Sequence, residues 1–270
     1  MSDYDLFLLA EKVQELSKRV NHLERLQRQG ANEQAWGNAC SLFLTLPGLR
    51  GFWPMSSIGS AGGARDLTGL IPLTYNGNPT YNIQGNLLSY IRFDGTGDYL
   101  SAADAAAFRI IGNEGHIAGA LNGLTLGGWF YHIDASNTEG LIGKWTSTGN
   151  QKSYLLNKNT SDQMVMNVST DGSAGVNKVS AAISTATWYF VAGRFDPSTS
   201  VDVFVNTTKA SETTGVPATI FNSTADLQIG AFNAGTSLAN ARASLCFLCA
   251  AALPDATLNA LYYLTKDLFG

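Results

Sequence analysis

From Trp36 onward the chain shows no sustained helical periodicity until its last residues, and this constrains the fold more than any single motif. The apolar segments there are short and are bounded by glycine, asparagine, aspartate and proline. Ten of them read as strands: Leu49–Met55, Leu87–Phe93, Leu124–Ile133, Gly140–Trp145, Ser153–Asn157, Met164–Ser169, Trp188–Asp196, Val201–Val205, Leu227–Ala231 and Arg242–Ala250. Turn signals stand between them, including Asn76-Gly77-Asn78-Pro79, Asp171-Gly172 and Asp196-Pro197. In Val201–Val205 the valines alternate with Asp202 and Phe204, which is the period of a strand with two different faces. So many short strands predict an antiparallel sandwich or barrel. The one exception is Leu253–Leu264, where Pro254 and Asp255 precede Leu258, Leu261, Tyr262 and Leu264 at helical spacing, predicting a short closing helix. An apolar fraction of 45% with only 14% charged residues allows a large core, and 28 glycines suit a fold rich in turns.

The first thirty residues follow a different rule. Leu6, Leu9, Val13, Leu16, Val20 and Leu23 are spaced alternately three and four apart, with Leu6, Val13 and Val20 at a and Leu9, Leu16 and Leu23 at d of a heptad. This period predicts association between chains. Valine at a with leucine at d favours two strands, whereas Ala10 at e and Leu26 at g widen the stripe and favour three, and a homotrimer is the expectation. Phe7 and Leu8 lie off the seam and form an apolar collar suited to attachment. The polar stretch Gln27–Gln34, containing Gly30, ends the helix. The expected division is a coiled-coil helix over 1–30, a linker over 31–44 and a β domain over 45–270.

Several functions are disfavoured by composition. A net charge of −4 does not suit a nucleic-acid partner. No apolar run approaches the roughly 18 residues that cross a membrane. Asp3 and Asp5 stand where a secretion signal carries positive charge, so cytoplasmic synthesis without a signal peptide is expected. Three cysteines do not make a disulfide framework. Cys246 and Cys249 fall within a predicted strand, on opposite faces, and read as buried thiols.

Catalytic chemistry finds little support. A glycosidase needs a carboxylate pair held close together. After residue 40 the glutamates are Glu114, Glu139 and Glu212, all in Gly- or Thr-rich sequence that reads as loop, and Asp202 stands alone on its strand. His22, His116 and His132 are far apart and have no partner at metal-ligand spacing. The expectation is a protein that is not an enzyme.

The order of the motifs carries further information. "GFWPM" with "RDLTG" is followed by "IRFDGTGDYLS", "LTLGGWFY", "LIGKW…GNQKSYLL", "MNVSTDG", "ATWYFVAGRFD", "VDVFVN", "LQIGAF" and "AALPDATLNALYY". Over roughly residues 45 to 265 this succession resembles the laminin-G-like jelly rolls of the concanavalin A-like lectin and glucanase superfold. The resemblance implies two antiparallel sheets face to face. "GKWTSTGNQKSYLL" and "VSTDG" resemble, more narrowly, the copies of this module in tailed-phage virion proteins, which are often tied to an N-terminal helical segment. That implies a virion structural protein (a capsid decoration, fibre or tail-associated protein) gathered by its heptads, attached to other virion proteins and displaying the jelly roll outward. The alternative it implies is a carbohydrate-binding adhesin outside a virion, and a glycoside hydrolase is the least favoured.

Such modules bind ligands through rim loops bearing aromatics and amides, often surface polysaccharide. Trp145, Asn150, Gln151 and Tyr154 form one candidate cluster, and Tyr75, Asn76, Asn78 and Tyr81 another. The family's rim calcium would use Asp66, Asp94 and Asp98. The local reading of the last two residues is a turn, because a calcium site wants six to eight oxygens and the terminal acidic ligand of a helix–loop–helix calcium loop is missing. No cofactor other than that calcium is expected.

Overall fold

A computed structural model of the chain describes residues 14, 17–21, 33–55, 63–84, 88–108 and 122–270. Among these residues sixteen strands form two antiparallel sheets. The first sheet runs β14 (Thr208–Glu212), β13 (Ser200–Val205), β12 (Trp188–Asp196), β7 (Leu124–His132), β16 (Asn240–Cys249), β5 (Leu88–Asp94), β4 (Thr80–Gln84). In it β1 (Leu49–Trp53) also pairs with β16. The second runs β11 (Gly175–Ala182), β10 (Gln163–Ser169), β9 (Gln151–Lys158), β8 (Glu139–Thr146), β15 (Leu227–Ile229), β6 (Tyr99–Ala102), β3 (Leu73–Asn76), β2 (Gly63–Ala64).

Side-chain alternation builds two apolar layers from the first sheet. Inward, Ile91, Phe93, Leu126, Phe130, Val191, Phe195, Val201 and Val203 meet Ile142, Leu156, Met166 and Leu227 of the second sheet. Outward, Phe52, Trp129, Phe190, Phe204 and Phe247 meet two helices: α1, described over residues 33–44, and α2, Asp255–Thr265. Both faces of β7 are therefore buried, which accounts for its nearly continuous apolar sequence. Cys246 faces the inner layer and Cys249 the outer one, as strand geometry requires. Burial pushes both thiols well above their ordinary pKa.

All ten predicted strands are present within a few residues. β2, β3, β4, β6, β11 and β14 are additional. β2, β4, β11 and β14 are the outermost strands of their sheets, and sequences such as Thr80–Gln84 and Thr208–Glu212 are polar there; β3 and β6 lie inside the second sheet but are only four residues each, too short to show a pattern. The segment 31–44, expected as a linker, is instead helical over residues 33–44. Ala39 and Phe43 drive this, together with Leu46, by packing into the outer layer against Phe52 and Phe247. Of the heptad positions, Leu6, Leu9, Val13, Leu16 and Leu23 lie outside the described residues. Val20 belongs to a helical stretch over 17–21 and is half exposed.

The chain changes sheets twice at one edge. The turn after β3 passes from the second sheet to the first, and the turn after β5 passes back. Asp98 joins these two corners: its buried carboxylate accepts the Asn78 N–H at 2.6 Å. Gly77, at φ 71°, lies so close that a Cβ there would sit 2.5 Å from that carboxylate, which is why a glycine occupies the site. Asp94, on the surface, accepts the Thr96 N–H and hydroxyl, and these bonds hold its pKa below the ordinary value.

Asp66 organises the crossing from β1 to β3. Its buried carboxylate accepts the backbone N–H groups of Phe52, Thr68, Leu70 and Ile71 and the Thr68 hydroxyl. Replacing it leaves those donors without an acceptor in a protein interior. Asp66→Ala is expected to destabilise the domain by about 3 kcal/mol or more in urea denaturation. A change under about 1 kcal/mol would show that the loop does not depend on this carboxylate.

Candidate functional site

The residues expected at a ligand site divide sharply. Trp145 ends β8 half-buried, with the Lys152 ammonium 5.8 Å from its ring centre. Asn150, at φ 54°, is exposed in the turn to β9, and the Gln151 side-chain oxygen accepts the Thr224 N–H at 2.7 Å. These three share one rim. Tyr154 does not join them: it lies wholly inside the sandwich, and burial pushes its phenol far above the ordinary range. Its place on β9 points it to the core, so its assignment to a binding cluster is corrected. Tyr75 and Tyr81 meet across the sheet corner with ring centres 6.0 Å apart, packed against the core. Both hydroxyls are buried, so the pair presents little polar surface to a ligand, and burial raises both phenols. Asn76 of the same cluster donates to the Ser101 hydroxyl at 2.9 Å, and Asn78 is the backbone partner of Asp98.

The calcium trio is likewise spent on the fold. The oxygens of Asp66 are taken by backbone N–H groups and a hydroxyl, Asp94 serves its own turn and Asp98 latches two corners. Among the described residues no group of three His, Cys, Asp or Glu gathers where it could hold a metal ion. Of the acidic residues named as catalytic candidates, Glu114 lies outside the described residues, and the others have structural places. Glu139 is not in a loop but opens β8, fully buried, 2.5 Å from His132 at the end of β7. Glu212 ends β14, and Asp202 is bound by Arg194.

A different place has the form of a binding site. On the outer face of the first sheet a cavity of about 490 Å³ opens between β7, the turn into β12, the turn after β13, and the C-terminal segment. That volume is within the range of small-ligand pockets. Its walls are Trp129, Tyr131, Trp188, Tyr262 and Phe269, and its polar groups include Thr187, Asn206, Lys266 and Asp267. Trp129 is the floor: its ring stacks on Phe269 at 4.2 Å, and its indole N–H donates to the Thr265 hydroxyl at 2.9 Å. Trp188 is half-buried, within 6 Å of Tyr90, Tyr131 and Phe269, so one part of a large rigid ring remains open. The Arg242 guanidinium lies over Tyr131 at 4.5 Å and Tyr90 at 5.0 Å and fixes the rings that support Trp188. Asn206 turns the chain at φ 54°, and its side-chain oxygen accepts the Phe190 N–H at 3.0 Å. The amide NH₂ is thereby oriented as the donor available at the cavity.

The cavity exists because the C-terminal segment is pinned to the sheet. Arg194 binds Asp202 at 2.7 Å, donates to the Leu253 carbonyl at 2.8 Å and binds Asp255, the first residue of α2, at 2.6 Å. Lys209 binds the other Asp255 oxygen at 2.6 Å. Sequence spacing gives no sign of this convergence, since the residues come from β12, β13, β14 and α2. Burial raises the Asp255 carboxyl, but the bonds from Lys209 and Arg194 outweigh it and the pKa is lowered. A carboxyl depressed in the folded state adds stability above its unfolded value near 4, and this is lost as pH falls through the folded value.

Removal of Arg194 leaves the Asp202 charge buried without its partner. Arg194→Ala is expected to cost about 3–5 kcal/mol in chemical denaturation and to speed amide exchange in residues 255–269 first. Exchange unchanged there would mean that α2 is held by apolar packing alone.

Comparison with known proteins agrees with this architecture. Residues 94–243 match the family described as the concanavalin A-like lectin/glucanases superfamily. No curated protein matches the chain in sequence. Among solved structures, the binding domain of Paraclostridial Mosquitocidal Protein 1 is similar at 12% identity and TM-score 0.60, over 80% of this chain and 52% of that one. The binding domain of botulinum neurotoxin serotype G is similar at 10% identity and TM-score 0.61, over 81% of this chain and 51% of that one. Trypanosoma rangeli sialidase in complex with sialic acid is similar at 15% identity and TM-score 0.59, over 91% of this chain and 40% of that one. The chain thus spans about half the length of the two binding domains and less of the sialidase, and identities this low establish a shared fold alone. With a family match over more than half its length, the chain belongs to the concanavalin A-like lectin/glucanases superfamily.

Proposed function

We propose that this protein is a non-enzymatic glycan-recognition module of a virion, gathered into a homo-oligomer, as expected a trimer, by its N-terminal heptads and displaying its jelly roll outward. The observation that carries the recognition part is the cavity on the outer face of the first sheet. It offers an open tryptophan face, further aromatic walls and the amide of Asn206, together with Thr187, Lys266 and Asp267 at its margin. Sugars present flat apolar CH faces and peripheral hydroxyls, which is the complement of that surface. Two similar folds are receptor-binding domains of botulinum neurotoxins, which supports recognition, and the sialidase, itself an enzyme, is in complex with sialic acid, which supports a sugar as the ligand. The commitment of Glu139 to His132 and of Asp202 to Arg194 supports the same choice.

The virion part rests on the heptads that precede the domain and on the resemblance of its "GKWTSTGNQKSYLL" and "VSTDG" motifs to phage-borne copies. Synthesis in the host cytoplasm and release with an assembled particle fit the free cysteines, of which Cys246 and Cys249 are buried and Cys40 partly so. Attachment to other virion proteins through Phe7 and Leu8 completes the proposal.

Binding is tested on a glycan array. Wild-type protein is expected to give discrete signals that fall about tenfold or more in Trp188→Ala, and also in Asn206→Ala, with Trp145→Ala unchanged. A wild-type array without signal, or signals abolished only by Trp145→Ala, would remove the cavity from the account. Immunogold labelling of particles from the source is expected to decorate their surface. Absence of the chain from every particle would end the virion proposal and leave recognition standing.

A further inference from the structure

α1 and α2 do more than cover the sheet. Between them, and continuing beside the 3₁₀ turn Lys266–Leu268, runs a groove of about 790 Å³ lined by Ala35, Leu42, Leu264 and Leu268, with Asn38 and Asp267 also on its walls. α2 faces the sheet with Leu258, Leu261 and Thr265, leaving Tyr263 57% and Leu264 67% exposed. On α1, Leu44 is 45% exposed. Three of the five large apolar side chains exposed among the described residues therefore sit on these two helices, Leu264 in the groove wall itself and Leu44 and Tyr263 outside its lining. An apolar concentration of this kind marks a contact surface.

We infer that this groove seats a second copy of the same chain, so that the oligomer is held by a contact between jelly rolls as well as by the heptads. The inference rests on the oligomeric part of the function proposed above. The choice of occupant follows from chain reach. The heptad pattern ends at Leu26 and α1 is described from Glu33, and that interval spans at most roughly 25 Å whatever its conformation. Once the heptads associate, the α1 helices of neighbouring copies start within two such tethers and the width of the helix bundle, on the order of 60 Å, of one another. A short tether of this kind gives an effective concentration on the order of millimolar, at which even a weak apolar contact is populated ahead of a partner arriving from solution. The mixed lining, with Asn38 and Asp267 among the leucines, suits a contact that forms only when copies are already tethered.

The full chain is prepared with a photo-reactive benzoylphenylalanine at position 264, and ¹⁴N- and ¹⁵N-labelled batches are mixed, denatured and refolded together. Irradiation is expected to give hybrid adducts joining residue 264 of one copy to residues 35–45 of another, mapped by mass spectrometry. In parallel, Leu264→Glu, at a site exposed enough to leave folding intact by circular dichroism, is expected to raise the subunit dissociation constant at least tenfold by sedimentation. An oligomer that gives only intrachain adducts and sediments identically as Leu264→Glu overturns this inference and leaves the heptad assembly standing. A wild-type chain that sediments as a monomer at micromolar concentration overturns the oligomer itself and this contact with it.

Discussion

The guanidinium of Arg194 is the point on which the outer half of this molecule depends. It stands on the buried outer face of β12, where an unpaired charge is costly, and it is satisfied by a carboxylate from the neighbouring strand, a carbonyl from the chain leaving β16 and the first carboxylate of α2. Those bonds fix where the C-terminal helix begins. Its direction is then set by Leu258 and Leu261 against the sheet and by Thr265, which takes the indole N–H of Trp129. From there Phe269 reaches the face of Trp129, and the aromatic wall is complete. The wall of rigid rings proposed for recognition thus follows from a single polar anchor some distance away.

The inner half depends on a different device. A sandwich whose chain passes from one sheet to the other must hold its corners, and here buried aspartates do so. Asp66 and Asp98 gather backbone N–H groups from segments that would otherwise leave donors unsatisfied at the sandwich edge. In this chain the peptide groups occupy the positions that a cation would compete for.

The legibility of the sequence follows from which interactions are local. Strands with an apolar inner face, such as Val201–Val205 and Trp188–Asp196, announce themselves by alternation and by β-branched and aromatic content. Thr80–Gln84 and Gly175–Ala182 do not, because a strand at a sheet margin is polar on its open face and reads like a turn. The helix over residues 33–44 is hidden for a related reason: its stability comes from Phe43 meeting Phe52 and Phe247, and a stretch with only a few apolar residues looks like a linker until those partners are known. The rim residues Trp145, Asn150 and Gln151 are adjacent in sequence and were accessible to inspection. The aromatic cavity joins Trp129, Trp188 and Phe269 across some 140 residues, a count given by 269 − 129, and only the fold brings them together. Aromatic residues within strands and in the closing segment equally describe a core.

Recognition at the Trp129–Trp188 cavity is tested most directly by the tryptophans themselves. Indole N–H resonances report on each tryptophan separately, and the protein has five. In a titration with an oligosaccharide identified on the array, binding at the cavity predicts saturable shifts of the Trp188 and Trp129 indole signals, with those of Trp53 and Trp145 unmoved. Shifts confined to Trp145 would place binding at the opposite sheet's rim and contradict it.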